Sequence, residues 1–303
     1  MQTENSQKNF SAALGVALTL AGGILWGFSG ACGQFLFTHK AVVSTWLVPV
    51  RLLTAGILMV LFLILTERKR AFAVWKNRRD ALELVIFGVF GMSACQFTYF
   101  TAIQYSNAGT ATVLQYIGPA FVMLWICMRG GRRPTAVECI ALALALTGAF
   151  LLATHGSLDS LALSPKGLAW GLTSAVTLAI YTLTPMRLLK TFTSIEVVGW
   201  GMLIGGILLC AVFRPWEVAV EVDPGLIGGM AGVILCGTIL AFPLYFSGLK
   251  RIGPGKGSMI SAIEPVSAAV FGVAWLGNAM TGHDLIGFAC ILSMVVLLAR
   301  AKD

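Results

Sequence analysis

Between Glu83 and Arg129 the chain carries no charged side chain and no histidine. As one helix this stretch would be about twice as long as a bilayer's hydrocarbon is thick, at roughly 1.5 Å per residue against roughly 30 Å. It therefore reads as two spans, with Gln104-Tyr105-Ser106-Asn107 as the polar place to turn. A second run, from Phe10 to Thr38, is equally free of charge and histidine. It is too long for the apolar core of a signal peptide and no polar mature domain follows it, so it reads as a first anchor. Hydrophobic residues make up 57% of the 303-residue chain and charged residues 11%. Soluble domains carry about a quarter charged residues, so bilayer is the solvent this chain suits.

Reading between charged or turn-rich breaks gives ten spans, near 13–37, 44–66, 82–103, 107–128, 136–154, 166–188, 194–213, 225–249, 255–277 and 281–300. The positive-inside rule tests the count independently. With the N-terminus in the cytoplasm, 17 of the 21 Lys and Arg residues fall in inside segments. They are Lys8; Arg68, Lys69, Arg70, Lys76, Arg78 and Arg79; Arg129, Arg132 and Arg133; Arg187 and Lys190; Lys250, Arg251 and Lys256; and Arg300 and Lys302. Only Lys40, Lys166 and Arg214 fall outside, and Arg51 lies within a span. This scatter through short loops also argues against nucleic-acid binding, which would gather the net charge of +8 on one face. His39, His155 and His283 fall in the outer loops and read as solvated, since no partner is evident for any of them in the sequence. The seven cysteines lie in or beside apolar runs without metal-ligand spacing, and read as small packing residues.

The segment from Tyr99 to Ala120 matches that from Tyr245 to Val266 without a gap. Tyr99-Phe100 faces Tyr245-Phe246, Gly109 faces Gly255 and Pro119 faces Pro265, each 146 positions on. Leu151-Leu152-Ala153 recurs at the same offset as Leu297-Leu298-Ala299, and Ala55-Gly56-Ile57-Leu58 resembles Gly205-Gly206-Ile207-Leu208. Two halves of five spans each would enter the bilayer in opposite senses, the inverted repeat from which many secondary transporters are built. The expected division is a tail over 1–11, a first repeat over 12–154, a linker over 155–165, a second repeat over 166–300 and a tail over 301–303.

This layout, with Trp26-Gly27 in the first span, Arg51 in the second, Pro119 in the fourth and Glu264-Pro265 in the ninth, resembles EamA-type members of the drug/metabolite transporter superfamily. Stretches such as Ala108-Gly109-Thr110-Ala111-Thr112-Val113-Leu114-Gln115 are similar to the YicL-like inner-membrane branch. The resemblance covers essentially the whole chain. It implies an all-α bundle around a central cavity, in a bacterial inner membrane, moving metabolites, often outward, by alternating access. The chain departs from the family in lacking a Gly-Glu pair after the fourth and ninth spans, where Gly131-Arg132 and Gly277-Asn278 stand.

Arg51 and Glu264 are the two charges well inside spans. Each would cost about 2.5–3.5 kcal/mol facing lipid, so each should face protein or a wet cavity. Three roles are open to Glu264: binding a proton or a cationic group of the substrate, pairing with Arg51 as a strut, or accepting hydrogen bonds from backbone loosened by Pro265. A second set, Trp26, Gln96, Tyr99, Gln115, Tyr116, Tyr181, Tyr245 and Ser261, offers aromatic faces and polar tips away from the membrane boundaries. Cavity lining is the favoured reading over interhelical glue, whereas Trp46 and Trp75 read as belt anchors. Gly23-x-x-x-Gly27 and Gly201-x-x-x-Gly205 read as close helix packing, and Gly253-Pro254-Gly255-Lys256-Gly257 as a helix connection.

The expected function is a secondary transporter of small, amino-acid-like or other organic solutes, with proton coupling open. It needs no cofactor, and its partners are a small-molecule substrate and the lipid bilayer, as monomer or homodimer. The competing reading is a membrane-embedded enzyme acting on a lipid or prenyl substrate, although no span carries the paired carboxylates such chemistry uses.

Overall fold

The computed structural model describes all residues except 1, 41, 107, 159–163, 277–279 and 302–303. Part of the expected linker, the end of the C-terminal tail and Gly277-Asn278 thus lie outside the described residues. Ten helices are long and apolar enough to span: α1 Phe10–His39, α2 Ser44–Thr66, α3 Arg78–Tyr105, α4 Ala111–Gly130, α5 Ala136–Thr154, α6 Pro165–Thr191, α7 Ser194–Phe213, α8 Pro224–Ile252, α9 Pro254–Trp275 and α10 Gly282–Arg300. The uncharged run divides as read, with α3 ending at Tyr105.

The start signals repeat across the halves. Thr135 and Glu138 form a reciprocal capping box at α5, and Thr281 and Asp284 form one 146 positions on at α10. Asn77 caps α3 by accepting from the Arg79 amide, and Asp223 caps α8 by accepting from the Leu226 amide. Both α3 and α8 widen midway into a π-helical stretch, at Phe87–Ser93 and Gly232–Leu240. A hydroxyl satisfies the loosened backbone in each: Ser93 donates to the Gly88 carbonyl at 2.9 Å and Thr238 to that of Val233 at 2.8 Å. Both α4 and α9 break in mid-span, at Tyr116–Ile117 and Ser261–Ala262. The widenings carry no periodicity signal and no sequence feature announced them, whereas the break of α9 falls where Pro265 was expected to loosen the backbone.

Glycine sets how closely the helices cross. A Cβ on Gly56 would lie 2.4 Å from the Leu203 amide nitrogen, and one on Gly206 2.4 Å from that of Leu53, so α2 and α7 meet backbone to backbone. A Cβ on Gly27 would lie 1.7 Å from Ser267 Oγ of α9. The glycine spacings read as packing motifs therefore do pack. Helix α1 lies against α8 and α9 of the second half, and α6 against α3 and α4 of the first. Two mixed bundles result, bordered by the α2–α7 pair on one side and the α5–α10 pair on the other.

One loop reading is corrected. His155 is not without a partner: its Nδ1 lies 2.8 Å from Asp284 Oδ1. The last turn of α5 closes with His155 in the left-handed region (φ 49°), which aims the ring at the first turn of α10. A contact 129 residues distant is invisible to a reading of local loops. His39 stacks on Phe35, at 5.1 Å between ring centroids.

Candidate functional site

The breaks of α4 and α9 meet. Pro265 has no N–H to give the Ser261 carbonyl four residues back, so that carbonyl is left short of its helical partner. The Glu264 amide bonds it in a tight turn at 2.9 Å, and the Tyr116 hydroxyl donates to it across the interface at 3.0 Å. Tyr116 thus supplies from α4 a donor for the backbone that Pro265 disrupts in α9. Its oxygen lies a longer 3.4 Å from Glu264 Oε2, and its single proton is committed to the shorter contact.

Glu264 occupies the first turn of the segment Ile263–Leu276, where the unpaired amides and the helix dipole favour a negative charge. Its side chain is half-buried and accepts no backbone N–H.

Arg51 is buried in α2, and its hydrogen bonds go elsewhere. Nε donates to Thr238 Oγ1 at 2.7 Å and Nη2 to the Gly237 carbonyl at 3.2 Å, both within the widened turn of α8. Its guanidinium carbon lies 5.8 Å from the Phe100 ring centre and 5.9 Å from that of Phe242, within cation–π range. No ion pair joins Arg51 to Glu264, so the strut considered from sequence is not formed.

Around these charges lies an aromatic cluster drawn from three helices. Trp26 of α1 sits 4.8 Å from Tyr245 and 5.0 Å from Phe242 of α8, and Tyr181 of α6 stacks on Tyr245 at 6.2 Å with planes 8° apart. The Trp26 indole N–H and the Tyr181 hydroxyl are buried yet find no hydrogen-bond partner among the described residues. Such orphans are rare in a native interior, and both can serve a bound polar group.

The remaining candidates fall into two groups. Tyr99 bonds Thr112 of the neighbouring helix at 2.9 Å, and Gln115 Nε2 lies 4.0 Å from Cys95 Sγ, so these two serve partly as interhelical ties. Gln96 is half-buried in α3 and makes no hydrogen bond among the described residues. Ser261 contributes its carbonyl to Tyr116, while its hydroxyl turns back to the Ser258 carbonyl at 2.8 Å. Sequence reasoning missed Thr238, Phe100 and Phe242, which hold Arg51. Their apolar context resembles any packed span, and only the widened turn explains why a hydroxyl belongs at Thr238.

The model of the EamA-like transporter family matches residues 13–154 and again 165–300. The chain belongs to this family. An uncharacterized inner membrane transporter of Salmonella typhimurium, YicL, is 37% identical over 95% of this chain and 96% of its own length. The threonine/homoserine exporter RhtA of the same organism is 26% identical over 73% of each chain. A probable terminal-alkyne amino-acid exporter of Streptantibioticus cattleyicolor is 26% identical over 73% of this chain and 74% of its own. A crystal structure at 18% identity superposes with a TM-score of 0.73 over 96% of both chains, which shows the shared fold. This EamA-family chain is thus a ten-span membrane protein built on a twice-occurring family module.

Proposed function

We propose that this chain is an inner-membrane secondary transporter exporting small, amino-acid-like solutes by alternating access, with Glu264 as the exchanging group. What carries the reading is that Glu264 forms no ion pair among the described residues and receives only the long 3.4 Å contact from the Tyr116 hydroxyl. Arg51 is bonded to Thr238 and Gly237, and Tyr116 serves the carbonyl that Pro265 orphans. A half-buried acid left over in the membrane interior is a site for a proton or a ligand ammonium. Trp26 and Tyr181, with their unpartnered donors, and the face of Tyr245 give a cargo polar and aromatic contacts beside it.

In the cycle we infer, the carboxylate accepts a proton when the site faces one side, giving neutral Glu264. Cargo entering from the other side displaces that proton, and its ammonium pairs with the carboxylate for the return. The unpaired Nη1 of Arg51 leaves a donor for a carboxylate on the same cargo. Names of relatives such as the threonine/homoserine exporter support a cargo with both charges, and none of the relatives described above is named as an enzyme. The 17-to-3 bias of basic residues supports both termini lying in the cytoplasm.

The test is counter-transport in inverted membrane vesicles against an amino-acid panel, with and without a pH gradient. Glu264→Gln should abolish the gradient-driven component while the protein still purifies as a monodisperse, helical species. Undiminished gradient-driven transport by that variant at every pH would rule out the exchanging role.

A further inference from the structure

We propose that residues 67–79, the connection between α2 and α3 together with the first two residues of α3, form a docking surface for the headgroups of anionic phospholipids. Arg68, Lys69, Arg70, Lys76, Arg78 and Arg79 are all exposed there. Excess positive charge at this membrane face accounts for their sign but not for their arrangement. The connection is not a loose tether. Ala71 and Val74 are buried, the Trp200 indole N–H donates to the Ala71 carbonyl at 2.7 Å, and Phe72 and Trp75 pack on the Trp200 ring at 5.5 and 5.2 Å. The backbone is therefore held in one shape with its basic side chains turned outward.

The nearby acids are already occupied. Glu67 pairs with Arg70 at 3.2 Å, while Asp80 and Glu83 are both taken by Arg187 of α6. Arg68, Lys69, Lys76, Arg78 and Arg79 are left with no acidic partner among the described residues. Arg187 occupies both carboxylates and offsets one of their two charges, and the six basic residues still leave the connection with a surplus of cations.

The surroundings identify the class of ligand. Immediately beneath the basic residues, Phe62 and Leu65 of α2 and Leu82 of α3 are exposed at 53%, 76% and 62%. Phe72 and Trp75, interleaved with the basic residues in the connection itself, keep 46% and 37% of their surface open. A partner must be anionic and amphipathic at the top and apolar below, which is the profile of a phospholipid. An acidic protein or a nucleic acid would match only the uppermost layer.

The decisive experiment is native mass spectrometry of the detergent-purified full chain, incubated with equal phosphatidylglycerol and phosphatidylcholine. Wild type should retain phosphatidylglycerol preferentially. The variant Arg68→Gln/Lys69→Gln/Arg70→Gln keeps Lys76, Arg78 and Arg79 to hold the topology, and should lose that retention by about a hundredfold, since each basic residue at a membrane surface contributes about 1 kcal/mol and about 1.4 kcal/mol is tenfold. Phe72→Ala/Trp75→Ala should weaken both lipids alike. A control, Lys250→Gln/Arg251→Gln, removes charge from the last turn of α8 and should behave as wild type. Retention unchanged in the triple variant, or lost equally in the control, overturns the proposal.

Discussion

Tyr116 and Glu264 are neighbours whose roles separate cleanly under substitution. Tyr116→Phe removes one of the two donors to the Ser261 carbonyl and leaves it only the Glu264 amide, at about 0.5–1.5 kcal/mol. It should lower the melting temperature measured by tryptophan fluorescence in detergent. Glu264→Gln should leave that temperature near wild type, because the carboxylate tethers no backbone. Arg51→Lys should fail to replace Arg51, since one ammonium cannot reproduce the fork that reaches Thr238 and Gly237 together. Its melting temperature should fall by an amount comparable to that of Arg51→Met, and full rescue by Lys would mean that charge alone matters. The sequence marked Arg51 and Glu264 because charge in an apolar run is costly, and that argument needs no neighbours. It could not say which groups those charges meet, because the partners lie 148 to 187 residues away.

Helices in this protein are shaped by glycine and proline more than by their apolar pattern. The α2–α7 crossing depends on Gly56 and Gly206, and a Cβ at either meets main-chain atoms that cannot move aside. Gly206→Val should therefore abolish monodisperse expression, read by fluorescence size-exclusion of a tagged chain. Gly30→Ala offers the contrast within α1, where a Cβ meets nothing within 4 Å. That substitution should be neutral or gain a few tenths of a kcal/mol in thermal stability from helix propensity. Ten spans, their order and their small-residue contacts were legible because hydropathy and loop charge report them directly. The widened turns at Phe87–Ser93 and Gly232–Leu240 were not, since an i to i+5 turn arises from how neighbouring helices press on glycine and hydroxyl residues. The breaks at Tyr116 and Ser261 lay in plain view beside Pro119 and Pro265, but proline in a span fixes a disruption without fixing its shape.

Across the whole molecule, two ion-pair clasps sit in corresponding places. Lys40 at the end of α1 pairs with Asp223 at the cap of α8, and Arg187 near the end of α6 pairs with Asp80 and Glu83 in the first turns of α3. The Lys40 ammonium, and then the Leu226 amide, hold the Asp223 carboxyl below the ordinary aspartate range. A depressed carboxyl stabilises the fold above its unfolded-state pKa and loses that contribution as pH falls through the folded value. The Lys40–Asp223 clasp is therefore intact throughout the neutral range and opens only in strong acid. Asp223→Asn should reproduce the acid-opened clasp at pH 7, seen as faster hydrogen exchange at the start of α8 with the Glu264 region unchanged. Equal exchange in both proteins would show that the pair contributes nothing to holding that end of α8.

The two halves share caps, widened turns and mid-span breaks, yet Glu264 has no counterpart acid. Gly118 stands 146 positions earlier, and even a Cβ there would lie 2.7 Å from Leu178 Cδ2. Under the proposed cycle this fixes a stoichiometry. One exchangeable carboxylate can carry no more than one proton per turnover, so a zwitterionic cargo exchanged for that proton moves a single net charge. The thermodynamic ceiling on accumulation is then one proton-motive-force equivalent per molecule, and the flux reverses sign at a membrane voltage that an electrode can find.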